Sequence, residues 1–318
     1  MGGAHSGTWV RVQVLVLSAC AVILFAAAGY VPVFGVLLSL LAPTPLLLVA
    51  LRNGLLTGVL ALSLSTLSLA LLVGSLQSAV FFVEYGVMAM AMAEAIRRQW
   101  SVEKILLVSI AVPVMASGLV MALLFGSVDF ELSAAKQHFE ADLNDAFHQF
   151  LTEEGGASDE ALRAYFQEAI RTVIQLLPAL FVLSTAAGAL LNYGVVRILW
   201  RRLGGQLPLP EMMLTQWKAP EMCVWVLIAS GICYFVPLPG MQTVGVNVLL
   251  LVSPVYLAQG LGVMMFYLNR ASVPSILRSL AYIFLVIQPL LLVGVTAFGL
   301  FDLWFDFRRT GNKREETQ

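Results

Sequence analysis

The chain has 318 residues, of which 59% are apolar and only 12% charged, and its formal net charge is -1. A soluble domain carries roughly twice that charged fraction, so the mean hydropathy of +0.88 excludes an ordinary soluble fold. The near-neutral balance excludes a basic field for binding nucleic acid.

Apolar segments are predicted at about 10–28, 33–51, 54–74, 77–95, 105–126, 172–200, 221–237, 243–268 and 279–301. No formal charge lies between Arg11 and Arg52, or between Glu221 and Arg270. In hydrocarbon each backbone polar group must bond internally, so these segments are helices. Strict alternation, the signature of a barrel, is absent. The expected fold is therefore all-α: a polytopic transmembrane bundle of eight or nine helices with an extramembrane helical hairpin. Its divisions are 1–126, an acidic insert at 127–171, 172–301, and a charged interfacial tail at 302–318. The first apolar run is too long for the hydrophobic region of a signal peptide and reads as a retained helix. Pro43 and Pro45 mark 33–51 as the segment expected to be broken.

Arg52, Arg97, Arg98, Lys104, Arg197, Arg201, Arg202, Lys218, Arg270 and Arg278 all fall on one side if every segment crosses. That side is cytoplasmic by the positive-inside rule. A ninth crossing would leave Arg308, Arg309, Lys313 and Arg314 outside, so either one segment is re-entrant or the tail breaks the rule. The expected location is a bacterial inner membrane, with the lipid bilayer as the first partner.

The 127–171 insert holds ten of the chain's 19 acidic residues. Phe139, Leu143, Phe147, Phe150 and Leu151 recur at helical spacing. Gly155 and Gly156 interrupt them, and Ser158 resembles a helix start. A hairpin over the outer face follows, serving as a solvated cap, a lid or a docking surface.

Catalytic signatures are missing. There is no GxxxxGK[ST] and no HExxH. His138 and His148, near Glu140, Asp142 and Asp145, match no metal-ligand spacing. No cofactor, no metal and no enzymatic activity are expected. Cys20, Cys223 and Cys233 lie in apolar stretches as small buried residues.

Polar groups inside apolar segments carry more information, because lipid burial is costly. Glu84 stands near the middle of 77–95. It could bind a cationic substrate group, relay protons, pair with a basic residue of another helix, or sit neutral and hydrogen-bonded. Asn192, Asn247 and Gln259 are strong hydrogen-bonders, suited to gluing helices or anchoring a substrate. Glu94 lies at helical spacing from Arg97 and Arg98. Gly54 and Gly58 form a GxxxG that permits close helix approach. Trp9, Trp100, Trp200, Trp217 and Trp304 flank segments as an aromatic belt does. The closing Asp302, Trp304, Asp306 and Arg308 suit an interfacial helix, with Asp306 and Arg308 at the headgroups.

Three stretches carry a resemblance. The first is Tyr30-Val-Pro32 with Gly35, Pro43, Pro45 and Arg52-Asn-Gly54. The second is Trp217-Lys-Ala-Pro220 with Asn247 through Tyr256 and Gln259-Gly260. The third is Gly299-Leu-Phe-Asp302-Leu-Trp304-Phe-Asp306-Phe-Arg308. Together they resemble the YybS-type bacterial membrane proteins, the DUF2232 family of unknown function. That family is similar in fold to the substrate-binding S-components of energy-coupling-factor transporters. The resemblance implies a micronutrient-binding membrane subunit driven by separate energising subunits, with a small-molecule ligand entering beneath the 127–171 hairpin. Glu84, Asn192, Asn247 and Gln259 are then the candidate substrate-binding residues. Ala19, Ala21, Ala26, Ala27 and Ala28 lack the AxxxA spacing with which such subunits dock. The alternative is a non-catalytic scaffold of a cell-envelope complex, comparable to the MreD-like proteins. In that case Glu84 would be a helix–helix bond and the acidic hairpin a surface for envelope partners.

Overall fold

The computed structural model describes residues 3–31, 34–127, 141, 160–205, 207–211, 213–238 and 240–308. The insert hairpin from Phe139 to Ser158, but for Ala141, the histidines His138 and His148, and the tail beyond Arg308 lie outside them. Among the described residues all regular structure is helical: α1 Gly3–Tyr30, α2 Phe34–Ser39, α3 Pro43–Asn53, α4 Leu55–Leu72 and α5 Ser75–Val80. A π-helical turn Phe81–Gly86 follows, then α6 Val87–Arg97, α7 Val102–Ser127, α8 Glu160–Arg202, α9 Met222–Phe235, α10 Met241–Arg270, α11 Ser275–Ile287 and α12 Pro289–Phe305. The expected all-α membrane bundle is present, and all nine apolar segments have helical counterparts.

Seven described helices are long and apolar enough to cross a membrane, and α11 with α12 makes an eighth candidate bent by 105°. The bend falls where Gln288 takes extended angles and Pro289 opens α12; the proline has no N–H to continue the ladder. Helix α9, at 14 residues, spans about 21 Å against a hydrocarbon core of about 30 Å.

The chain divides into two compact units, Met1–Ala157 with Phe181–Glu211, and Ser158–Leu180 with Met212–Gln318. Both draw on the continuous helix α8.

In the first unit α3 is the central post. Every residue from Pro43 to Leu51 is buried, with Leu46, Leu47, Val49 and Ala50 fully so. A helix apolar on all sides is buried on all sides. The expected break in 33–51 does occur, as a turn at Leu40–Ala42, and Phe34–Asn53 still passes as one span. Gly54 then turns the chain into α4 with φ +94, an angle L side chains rarely adopt. Gly54 is thus a corner residue, and Gly58 alone supplies the close approach of the GxxxG, against Ala50 of α3. Hydroxyls tie α1 to α4: Ser18 Oγ donates to the Ala61 carbonyl at 3.4 Å and Ser65 Oγ to the Ser18 carbonyl at 3.3 Å.

In the second unit α9 and α10 form a hairpin in which a Cβ on Gly245 would meet the α9 backbone at Ser230 and Tyr234. Helices α10 and α12 lie with backbones touching. A Cβ on Gly299 would fall inside the Tyr256 carbonyl, and one on Gly260 inside that of Val295. Without a hydrophobic force between helices in lipid, such small-residue contact supplies the packing.

Two expectations about side chains are corrected. Trp200 is 5% exposed, not in a belt; its Nε1–H donates to the Leu207 carbonyl at 2.9 Å. Cys20 is exposed rather than buried, while Cys223 and Cys233 are half-buried. Trp304 does face outward, 61% exposed.

Candidate ligand cavity and buried polar clusters

The Glu84 carboxylate is positioned by a local defect in its helix. Between α5 and α6 the backbone adopts i→i+5 spacing over Phe81–Gly86. Such π-bulges insert an extra residue and occur frequently at functional sites. Fully buried Phe81 anchors the turn, edge-on to Phe25 with ring centroids 5.2 Å apart; Tyr85 meets Phe25 in the same way at 5.2 Å. A Cβ on Gly86 would collide with Leu62, so α4 approaches the turn closely.

Glu84 opens into a cavity of about 190 Å³ in the first unit, lined by Leu40, Pro43, Val80, Tyr85, Met88, Phe181, Ser184, Thr185 and Gly188 besides itself. Ser117 Oγ of α7 donates to Glu84 Oε1. Thr185 lines the cavity beside the carboxyl group. Thr185 Oγ1 lies 3.0 Å from the Phe181 carbonyl as well.

Asn192 sits beneath the cavity, fully buried and saturated. Its Oδ1 accepts from Thr44 Oγ1 at 2.6 Å, and its Nδ2 donates to the carbonyls of Leu40 and Gly188 at 2.7 Å each. Both carbonyls belong to cavity-lining residues. Leu40 lies at the turn between α2 and α3, where its carbonyl has left the helical ladder. Both amide protons are spent, so Asn192 holds the floor of the cavity and has no donor left for a ligand.

The other two candidates belong to the second unit. Asn247 repairs helix α8 at Pro178. Its Nδ2 donates to the Gln175 carbonyl at 2.8 Å, and its Oδ1 accepts from the Ala179 N–H at 2.9 Å. Those two backbone groups would bond each other in a regular helix; next to proline they bond Asn247 instead. Gln259 joins a buried ion pair. Its Nε2 donates to Asp302 Oδ2 at 3.0 Å, and its Oε1 accepts from the Ala219 N–H at 2.9 Å. The four candidates thus separate into a cavity pair and two independent helix-linking groups.

The ion pair itself corrects the reading of the tail. Arg308 was expected at the headgroups, yet its side chain and that of Asp302 are both 0% exposed. Arg308 Nη2 and Nε donate to Asp302 Oδ2 at 2.6 and 3.2 Å, and Nη1 donates to the carbonyls of Leu214 and Thr215 at 3.1 and 3.0 Å. Asp302 Oδ1 has no hydrogen-bond partner among the described residues. Asp306 is half-exposed and paired with Lys218 at 3.0 Å, in keeping with an interfacial place. The one mark in the sequence is an acid and a base six residues apart at the segment end, which an interfacial helix carries as well.

At the positively charged end of the first unit, Arg197 donates to Glu211, and Arg201 pairs with the same carboxylate. These guanidinium groups hold the Glu211 carboxyl below its ordinary range, Arg197 contributing most. Arg98 and Glu94 form the expected exposed helical pair at 2.8 Å, worth tenths of a kcal/mol, about 0.3–0.5.

Among the described residues no group of three or more His, Cys, Asp or Glu is placed to hold a metal ion. No curated protein and no solved structure matches the chain. The model of the family described as predicted membrane protein (DUF2232) matches residues 19–303, which takes in the cavity, the Asn247 bridge and Asp302 of the ion pair, and the chain belongs to that family.

Proposed function

We propose that this protein is the substrate-binding membrane subunit of a small-molecule importer in the bacterial cytoplasmic membrane, energised by separate subunits and carrying no reaction of its own. The observation that supports the reading is the Glu84 cavity. It is a concave, mostly apolar space with a few convergent polar groups, the usual composition of a ligand site. At about 190 Å³ it is smaller than most drug-sized pockets, which suits a compact nutrient. The π-helical turn beneath Glu84 supports it too, because a regular helix would place the carboxylate elsewhere around the axis.

A scaffold reading draws on one observation of its own. The Ser117–Glu84 bond joins two spans directly, as a purely structural carboxyl group would. Affinity purification of the full chain from native membranes, with mass spectrometry of proteins and small molecules, separates the two. Co-purifying ATPases with a bound small molecule are expected. Envelope-assembly proteins without any ligand would overturn the importer reading in favour of the scaffold.

A further inference from the structure

Glu84 is the one formally charged side chain that lines the cavity among the described residues. Among the described residues no basic side chain forms an ion pair with Glu84: Arg52 donates to the Leu203 carbonyl, Arg97 to the Ala50 carbonyl, Arg98 pairs with Glu94, and Arg197 and Arg201 pair with Glu211. Its hydrogen-bond partner Ser117 and its neighbour Thr185 are hydroxyls and bring no charge. A carboxylate at this depth without a counter-ion is expensive, and membrane proteins pair such groups or use them. An ionised Glu84 therefore leaves the cavity one positive charge short.

The walls add a second constraint. Tyr85 and Phe181 contribute aromatic surface, and Leu40, Val80 and Met88 contribute aliphatic surface. Aromatic faces attract cations, more strongly in a desolvated site. Ser184 and Thr185 offer hydroxyl oxygens beside the carboxylate that can accept from an ammonium N–H. An anionic ligand would meet a lone negative charge in a low dielectric with no donor cluster to offset it.

We propose that the Glu84 cavity takes a small organic monocation, an ammonium head on Glu84 with an apolar or aromatic body against Tyr85 and Phe181. This rests on the reading of the cavity as a ligand site and names its ligand class. Glu84 supplies the counter-charge, Thr185 turns its proton from the Phe181 carbonyl or accepts from the ammonium, and Asn192 keeps the floor fixed.

The test uses the full chain in nanodiscs, with empty nanodiscs subtracted, and three probes of nearly equal size: 2-phenylethylammonium, 2-phenylethanol and phenylacetate. Calorimetric titration is expected to show the ammonium binding at least about tenfold tighter than the alcohol, and no binding of phenylacetate. Glu84→Gln, which keeps the side-chain size and its hydroxyl partners, is expected to cost the ammonium about 10- to 100-fold and leave the alcohol unchanged. If the alcohol or phenylacetate binds wild type as tightly as the ammonium, the monocation proposal falls while the cavity survives as a ligand site. If none of the three binds, the cavity fails as a ligand site and the proposal fails with it. The importer reading is then decided by the co-purifying subunits, which do not depend on the probes.

Discussion

Arg308 shows what a single residue contributes when the solvent is lipid. Its guanidinium meets Asp302 and two loop carbonyls in a site with no exposed side-chain surface. Desolvating both charges is costly, and the pair recovers that cost only while both partners remain. Arg308→Met should therefore destabilise the protein by about 3–5 kcal/mol by leaving Asp302 charged, with only the Gln259 amide to meet it. The double variant Arg308→Met with Asp302→Leu should recover much of the loss, because it removes the stranded charge too. Thermal unfolding in detergent gives the comparison. A double variant as unstable as the single one would mean that the backbone contacts to Leu214 and Thr215, not the charge pair, hold the tail.

Helix α8 shows how one element depends on another for its continuity. Pro178 withdraws a donor from the ladder, and Asn247 of α10 satisfies the groups on either side of it. Interhelical hydrogen bonds in membranes contribute about 0.6 kcal/mol on average and up to about 1.7, so Asn247→Leu should cost roughly 1–3 kcal/mol for the two together. In a Pro178→Ala background the helix can close its own Gln175–Ala179 bond, and the same substitution should cost less. Equal costs in both backgrounds, read by a double-mutant cycle in detergent unfolding, would show that Asn247 acts independently of the kink. This pairing also marks the limit of what the sequence discloses. Hydropathy located the helices because lipid demands about 20 apolar residues per crossing. It could not assign faces, since a span is apolar on the lipid side and the protein side alike. Polar residues gave the only facial signal: Asn192 and Gln259, expected to face inward, are both fully buried. Besides the side chains of Thr44 and Asp302, their partners are backbone carbonyls and an N–H group, which carry no mark in the sequence. Arg308 was misplaced because a buried ion pair and an interfacial belt at a helix end share one composition. The Glu84 cavity depended on a π-helical turn, and nothing in Phe81-Phe-Val-Glu-Tyr-Gly86 sets that sequence apart from a regular helix.

At the scale of the whole molecule, the open question from the sequence was the side on which the tail lies. Contacts within the second unit decide how its ends are grouped. The tail meets the 213–219 loop through Arg308 and through Asp306 with Lys218, and Tyr267, near the end of α10, donates to the Phe307 carbonyl at 3.0 Å. Helix α11 begins shortly after Arg270 closes α10, and α12 ends beside Tyr267. These contacts put the start of α11 and the end of α12 at one end of the unit, so the bent pair is expected to be re-entrant rather than a crossing. Lys218, Arg270, Arg278 and Arg308 then share a side, and the conflict with the positive-inside rule disappears. Labelling tests this directly. With Cys20, Cys223 and Cys233 replaced by serine, single cysteines at Gln216, Ala271 and Asp306 should react with a membrane-impermeant maleimide from the same side. A cysteine at Leu238, in the α9–α10 turn, should react from the other. If position 306 labels together with 238, the bent pair crosses the membrane and the tail sits opposite the basic loops. In that case the buried Asp302–Arg308 pair would have to form at the far interface, away from Lys218, which the 3.0 Å contact between Lys218 and Asp306 does not permit.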